Sequence, residues 1–448
     1  MLPSLNIDCQ WFDQPAASDP VERKTWADVR IQAAGRSVTR LLNRAIEAER
    51  EGIEIPAFPI ASWLVSNWWS LLHQPSPFDT IPQAGQAWQP QHQEWVRGHC
   101  LRAAGAGLLL PRAFLYSDGR ELCVTWSADD PDAYPHMPGS FVDSGHVVVS
   151  RQGTESALCD FVTSVLSRVS TMDDPRASTL RANWDAITEA DVSEAAFCRA
   201  AGRMGLNPYE WESWDDSLVT LLETGIGDDP DIPMVEDFLE AAEAASAPRV
   251  WKWVESTRTT LDLTEAPGRI QPLTQESASA AASGYDLAGK VRVQLGAGQG
   301  EAISDLPEVG RTLGMRSFDF VEHNHLPSAN VRAAVGWQRG GAAVIAGPKP
   351  RDENLRRFLH ARGLYCAAFG CAKGPRLITT AHTWDQQAAR AFAAELLAPR
   401  AALVAEYRSR KNTEKADTFV RRMARKFRVS TRVIDYNLEN AYLSIDPE

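Results

Sequence analysis

Four residues in the last third of the chain could bind a metal ion or transfer a proton. They carry imidazole, thiol or carboxylate groups: His360, Cys366, His382 and Asp385. These groups are the donors that zinc takes in proteins. Neither HExxH nor HxxxH occurs anywhere in the 448 residues. Each residue, like the preceding His323-Asn324-His325, is therefore only a weak metal candidate, and a structural or surface role is the alternative.

The cysteines indicate the redox environment. Seven are scattered along the chain without a CxxC pair. An odd, scattered set is typical of reduced thiols, so we expect a cytoplasmic protein. The start MLPSLNIDCQWFDQP lacks the basic and apolar segments of a secretory signal, and no run of 18 apolar residues follows. We therefore expect a soluble protein without a membrane partner.

Charge is distributed unevenly along the chain. The net charge is −12, and residues 210–243 hold twelve acidic residues but no Lys or Arg. Residues 408–432 hold ten basic residues, including Arg421, Arg422, Arg425 and Arg432. Either stretch is a solvated face or a surface for a partner. The four arginines are the predicted binding residues.

The first region, residues 1–170, is rich in tryptophan and predicts antiparallel strands with helices. Residues 26–42 alternate in polarity around a glycine, as in a hairpin. A second hairpin is predicted around Ser117-Asp118-Gly119. Trp63, Trp68 and Trp69 lie in an apolar helical stretch, where we expect them to be buried. This pattern favours an α+β domain.

Two further regions follow. Residues 171–283 are acidic and helical, and they end in a linker rich in small and polar residues, 266–284. Residues 284–448 contain a predicted hairpin at 333–349, a helix beginning ENLRRF and a helix beginning WDQQAARAF. The whole chain is thus predicted to be a multidomain α+β protein.

The third region resembles the ImmA/IrrE metallopeptidase family over residues 284–443. The resemblance rests on the hairpin, on Arg356-Arg357-Phe358, and on the sequence FAAELLAP at 392–399. The tail 419–443 is similar to the helix-turn-helix-like end of that family. The resemblance implies a zincin-like domain. No family motif identifies the first 280 residues or so.

That family needs HExxH on the first helix, with two histidines as zinc ligands and the glutamate as general base. The resemblance places Arg362 at the first histidine, Gly363 at the base and Cys366 at the second histidine. It places Gln386, beside Asp385, at the third ligand. Arginine cannot ligate zinc and glycine cannot act as a base. The motif is degenerate, and neither a metal cofactor nor catalysis is expected.

Three functional hypotheses follow. The resemblance implies a regulatory or phage-defence setting, and a degenerate domain would act there as a pseudoenzyme that binds a protein. A zinc metallopeptidase with unorthodox ligands, cleaving a repressor or antitoxin, is the first alternative. The second is a DNA-binding regulator that uses residues 419–443, where apolar residues have helix-turn-helix spacing and basic residues could meet phosphates.

Overall fold

The computed structural model divides the chain into two compact units, Met1–Pro230 (unit 1) and Asp231–Glu448 (unit 2). It describes residues 2–14, 16–82, 89–105, 107–130, 137–226, 231–266, 279–298, 300–323, 328–410 and 414–443. Both units mix helices with sheets, as the sequence predicts.

Short antiparallel sheets form much of unit 1. Its described strands are β1 (Leu5–Trp11), β2 (Trp26–Ala33), β3 (Arg36–Ser37), β4 (Leu41–Asn43), β5 (Ala48–Arg50), β6 (Ile53–Pro56), β7 (Arg112–Ser117), β8 (Leu122–Ser127), β9 (Gly139–Phe141) and β10 (Gly145–Val149). The first sheet has the order β1-β2-β3, with β6 also pairing with β2. The other two have the orders β10-β8-β7 and β5-β4-β9. All pairings between these strands are antiparallel.

Turn chemistry explains the two hairpins of unit 1 that the sequence predicts. Ala34 and Gly35 connect β2 to β3 with φ of 54° and 75°. Gly119, with φ of 90°, lies in the turn between β7 and β8, where Asp118 accepts backbone hydrogen bonds from Arg120 and Glu121. Both hairpin predictions are confirmed. Positive φ favours glycine, and aspartate closes such turns with its own carboxylate.

Helices of unit 1 cover these sheets and bury aromatic side chains. They are α1 (Pro20–Lys24), α2 (Phe58–Ser66), α3 (Trp68–His73), α4 (Gln93–His99), α5 (Arg151–Val169), α6 (Pro175–Thr188), α7 (Val192–Arg203) and α8 (Asp216–Thr220), with a 3₁₀ segment at Pro208–Ser213. Trp68 and Trp69 are buried as predicted, whereas Trp63 is half-buried. Trp68 meets Trp184 edge to face with ring centroids 5.0 Å apart. Aromatic burial therefore joins α3 to α6.

Unit 2 is built around one mixed sheet of four described strands. The strands are β11 (Ser317–Glu322), β12 (Val331–Gln338), β13 (Ala342–Gly347) and β14 (Arg376–Thr379). Their order is β11-β13-β12-β14. Strand β11 is parallel to β13, and the other pairings are antiparallel. The hairpin predicted at 333–349 is confirmed as β12 and β13.

Unit 2 also contains α-helices. They are α9 (Pro233–Leu239), α10 (Ala247–Thr260), α11 (Ala280–Gln294), α12 (Leu306–Thr312), α13 (Glu353–Tyr365), α14 (Trp384–Leu397), α15 (Arg400–Arg410), α16 (Ala416–Phe427) and α17 (Thr431–Leu443). Helix α14 packs against both α11 and α13. A Cβ atom at Gly284 of α11 would lie 2.3 Å from the carbonyl oxygen of Ala388. Glycine therefore permits the close approach of α11 and α14.

The two units differ from the three regions that the sequence predicts. Helices α6 to α8 belong to unit 1, whereas α9 and α10 belong to unit 2. The region 171–283 is thus divided between two units, and its helices in each unit bury apolar side chains. Within the described residues, no helix is long and apolar enough to cross a membrane.

Candidate functional site

Helices α13 and α14 bring two of the predicted motif positions into direct contact. Arg362 lies in the last turn of α13, and Gln386 lies near the start of α14. Nη2 of Arg362 donates hydrogen bonds to Oε1 of Gln386 at 2.7 Å and to the carbonyl oxygen of Thr379 at 2.9 Å. Both residues are buried, with 6% and 1% of their surface exposed.

A buried ion pair extends this contact toward α9. Arg376 of β14 donates from Nε and Nη2 to the two carboxylate oxygens of Asp237, at 2.7 and 2.8 Å. Its Nη1 donates to Asp385 at 2.9 Å. Asp237 also accepts a hydrogen bond from Nε2 of Gln386 at 3.0 Å. One connected network, which we call the α9–β14 network, thus joins Arg362, Gln386, Asp237, Arg376 and Asp385.

The network supplies hydrogen-bond partners to backbone groups on the outer edge of β14. The Leu377 N–H donates to Asp237 at 2.8 Å, and the Leu377 carbonyl accepts from Gln386 at 2.7 Å. The Thr379 N–H donates to Gln386 at 3.0 Å, while its carbonyl accepts from Arg362. An edge strand normally offers such groups to another strand. Here side chains occupy the backbone positions with which an added strand would pair.

The two arginines respond differently to burial. Burial lowers the pKa of Arg362, and the nearby charges of Arg390 and Arg332 act in the same direction. Burial also lowers the pKa of Arg376, but the carboxylates of Asp237 and Asp385 outweigh it and hold that pKa well above its ordinary value. The difference follows from direct carboxylate partners, which Arg376 has and which Arg362 does not have among the described residues.

Gly363, at the position that the resemblance assigns to the general base, faces the sheet. A Cβ atom built there would lie 2.1 Å from Cδ1 and 2.6 Å from Cγ1 of Ile345. Ile345 is fully buried in β13, so its side chain has little space to move. The close packing of α13 on β13 therefore leaves no room for a glutamate side chain at this position.

Cys366 begins a π-helical turn, Cys366–Gly370, that follows α13. It is 5% exposed, and burial raises the pKa of its thiol to about 12. Because the thiolate is the form that binds metal or attacks a substrate, the neutral thiol is poorly suited to either role. The next cysteine along the chain, Cys371, is fully buried.

Among the described residues, the remaining metal candidates do not come together as a set of ligands. His360 stacks on Phe320 with ring centroids 5.2 Å apart, and burial lowers its pKa to about 4. His382 lies between β14 and α14, where its carbonyl accepts a hydrogen bond from Gln387. Asp385 is engaged by Arg376. His323 is described near Trp253, whereas Asn324 and His325 lie outside the described residues.

The donor chemistry of the motif positions does not fit zinc. A guanidinium group is a cation without a free lone pair, and Arg362 places it on the carboxamide oxygen that would serve as a ligand. In the part of the chain that the structure describes, no group of three or more His, Cys, Asp and Glu is arranged to hold a metal ion.

The predicted basic surface lies on α16 and α17. Arg421, Arg425 and Arg432 are exposed, and none forms an ion pair with a described residue. Arg422 differs, because it is half-buried and pairs with Glu414 at 2.8 Å and with Glu406 at 3.6 Å. Three of the four predicted binding residues are thus available to a partner, and Arg422 also holds neighbouring segments together.

Asp237 and Arg376 are not among the candidate residues that the sequence predicts. Asp237 was part of the acidic run 210–243, yet its side chain is fully buried. The local sequence contained a signal, since Asp237 is flanked by the apolar residues Met234, Val235, Phe238 and Leu239 on a short helix. A carboxylate among apolar neighbours predicts a buried partner.

Comparison with known proteins gives no assignment: neither a family model, nor a curated protein, nor a solved structure matches this chain significantly.

Proposed function

We propose that this protein is a catalytically inactive relative of the ImmA/IrrE metallopeptidases that acts by binding a protein partner. The observation that carries the proposal is the hydrogen bond between Arg362 and Gln386, at two positions where the family would hold zinc. The tight packing at Gly363 adds to it, because the position of the general base has no room for a carboxylate. A pseudoenzyme keeps the scaffold and uses its surface.

The proposed partner presents an acidic surface to α16 and α17. Arg421, Arg425 and Arg432 are exposed arginines that would attract it, and arginine pairs well with carboxylates in two-point geometry. The proposed setting, regulation or phage defence, rests on the family resemblance, in which the usual substrates are helix-turn-helix repressors. Because side chains cover the edge of β14, strand addition at that edge is not part of the proposal.

The metal content of the purified full-length chain tests the pseudoenzyme. We expect far less than one zinc per chain after dialysis, measured by elemental analysis. Stoichiometric zinc that is lost in His360→Ala, Cys366→Ala or His382→Ala would favour the active peptidase instead. His146→Ala, which changes an exposed histidine of unit 1, serves as the matched control.

Charge reversal tests partner binding. The variant Arg421→Glu/Arg425→Glu/Arg432→Glu leaves Arg422 and its ion pairs intact. We expect it to lose partners that the wild type captures from the native host, because the reversed charges repel an acidic surface. Lys252→Glu/Arg258→Glu/Lys373→Glu makes the same change in charge at exposed sites outside α16 and α17 and should keep those partners. Identical partners for all three folded proteins would contradict the proposal.

A second candidate function, DNA binding, is favoured by the arrangement of α16, a short turn and α17. The exposed face of α17 carries Arg432 and Tyr436, but also Asp435 and Glu439. Those carboxylates would repel phosphates, so we rank DNA second. A gel shift with the full chain at increasing salt tests it, and binding that weakens with the arginine triple variant would raise this candidate above the first.

A further inference from the structure

Two large aromatic side chains are exposed on unit 1. Trp211 is 48% exposed and Tyr209 is 42% exposed, both on the 3₁₀ segment Pro208–Ser213. The indole nitrogen of Trp211 donates no hydrogen bond to a described residue. Tryptophan is highly buried on average, and exposed aromatic residues are enriched where proteins bind partners. Their position outside the core therefore calls for a functional explanation.

Local hydrogen bonds hold this segment in place. The Asn207 side chain caps it by accepting from the Tyr209 N–H at 3.3 Å and by donating to Glu210 at 2.9 Å. Nε1 of Trp69 donates to the Tyr209 hydroxyl at 3.2 Å. The backbone of the segment and the Tyr209 ring are thus pre-organised, which lowers the entropy cost of ordering this surface on binding.

Carboxylate residues flank the two aromatic residues along the chain. We call the following set the aromatic–acidic surface: Tyr209, Glu210, Trp211, Glu212, Asp215 and Asp216. All six residues are exposed, and neither Glu212 nor Asp216 forms an ion pair with a described residue. The sequence supplies no Lys or Arg between Glu210 and Glu243 to neutralise them.

We propose that the aromatic–acidic surface binds an arginine-rich segment of a partner protein. A guanidinium group stacks on the face of an indole ring and pairs with carboxylates at the same time. The charge of the surface selects a cationic ligand and repels nucleic acid. This proposal is independent of the pseudoenzyme, since it concerns a different unit and a ligand of opposite charge.

Fluorescence polarisation with a labelled arginine–glycine repeat peptide tests the proposal on the full chain. We expect salt-sensitive binding that Trp211→Ala weakens about two- to fivefold, the range for an exposed cation–π contact. Trp211→Leu should weaken it similarly, whereas Trp211→Phe should retain part of it, because only phenylalanine keeps a π face. Glu212→Gln/Asp216→Asn should weaken binding and flatten its dependence on salt.

Controls separate a specific surface from general acidity. Glu47→Gln/Glu155→Gln makes the same change in charge at exposed sites outside the aromatic–acidic surface and should bind like the wild type. A peptide with citrulline in place of arginine should not bind. Equal losses in both double variants, or unchanged binding by the folded Trp211→Ala and Trp211→Leu proteins, would overturn the proposal.

One further outcome would also overturn it. If sedimentation shows self-association that both Trp211→Ala and Arg421→Glu/Arg425→Glu abolish, the occupant is the basic α16 of a second copy. In contrast, a chain that binds the peptide normally with its α16 arginines reversed would support this surface even if the proposed function of unit 2 fails.

Discussion

At the scale of single residues, Asp237 stands out for the number of groups that depend on it. Its carboxylate accepts four hydrogen bonds, from Arg376 twice, from the Leu377 N–H and from Gln386. A carboxylate offers about four acceptor sites, so the group is saturated. Because it is fully buried, any partner left behind by its removal would be cut off from water.

Replacing Asp237 should therefore destabilise unit 2 strongly. We expect Asp237→Ala to lower the free energy of unfolding by about 3–5 kcal/mol, because Arg376 would remain buried and, among the described residues, would keep Asp385 alone as a charged partner. Urea denaturation followed by circular dichroism measures the change. Glu255→Ala, at an exposed position of α10, is the control and should change stability by less than about 0.5 kcal/mol.

A double variant that also replaces Arg376, the ion-pair partner of Asp237, extends the same experiment. Removing both charges in Asp237→Leu/Arg376→Met should cost less than Asp237→Ala alone, since no buried guanidinium is then stranded. A double variant that is less stable than the single one would show that the ion pair itself, and not the stranded charge, sets the cost.

At the scale of elements, the turn between α16 and α17 contains a conformational strain. Arg428 ends α16 in the left-handed region with φ of 55° and ψ of 52°. Its ion pair with Glu353 is long, at 3.6 Å, and lies at the surface. An exposed pair of this kind contributes little, so it offsets the backbone cost only in part.

Arg428→Gly should therefore stabilise the C-terminal helices. We expect a gain of about 0.5–1 kcal/mol, because glycine adopts positive φ without a Cβ clash. Thermal unfolding compares this variant with Arg428→Ala, which removes the charge but keeps the strain and should give no gain. A stabilised alanine variant would instead point to charge repulsion on the basic helix.

At the scale of the whole molecule, the position of α9 decides where unit 2 begins. The sequence predicts a domain from residue 284, yet α9 carries the aspartate that closes the edge of β14. Helix α10 belongs to the same unit, and the segment after it pairs with β12 through Thr264 and Trp337. A fragment that begins at residue 284 would lack Asp237 and Thr264 and would therefore lose these contacts.

Expression of two fragments tests this boundary. Residues 231–448 should fold alone, with a cooperative thermal transition and dispersed NMR signals, because they retain the α9–β14 network. Residues 284–448 should aggregate or unfold, because Arg376 then lacks Asp237 and the edge of β14 is open. A well-folded 284–448 fragment would make α9 and α10 an accessory to the domain rather than part of its core.

The sequence by itself determined the local elements of this protein. The two hairpins of unit 1, the hairpin β12–β13 and the helices α13 and α14 follow from turn residues and from apolar periodicity, which act over a few residues. The α+β class with antiparallel sheets follows from those elements. Arg362 and Gln386 could also be singled out, because the family resemblance aligned them on two helices.

Only the tertiary structure decided what those residues contact. Arg376 lies 139 residues from Asp237, and no local pattern links them. The acidic run likewise contains both a buried aspartate, Asp237, and exposed carboxylates that are close to Trp211 in sequence, although the same acidic composition describes both. Burial depends on which face of an element meets another, and long-range packing sets that choice. The division of residues 171–283 between two units has the same physical cause.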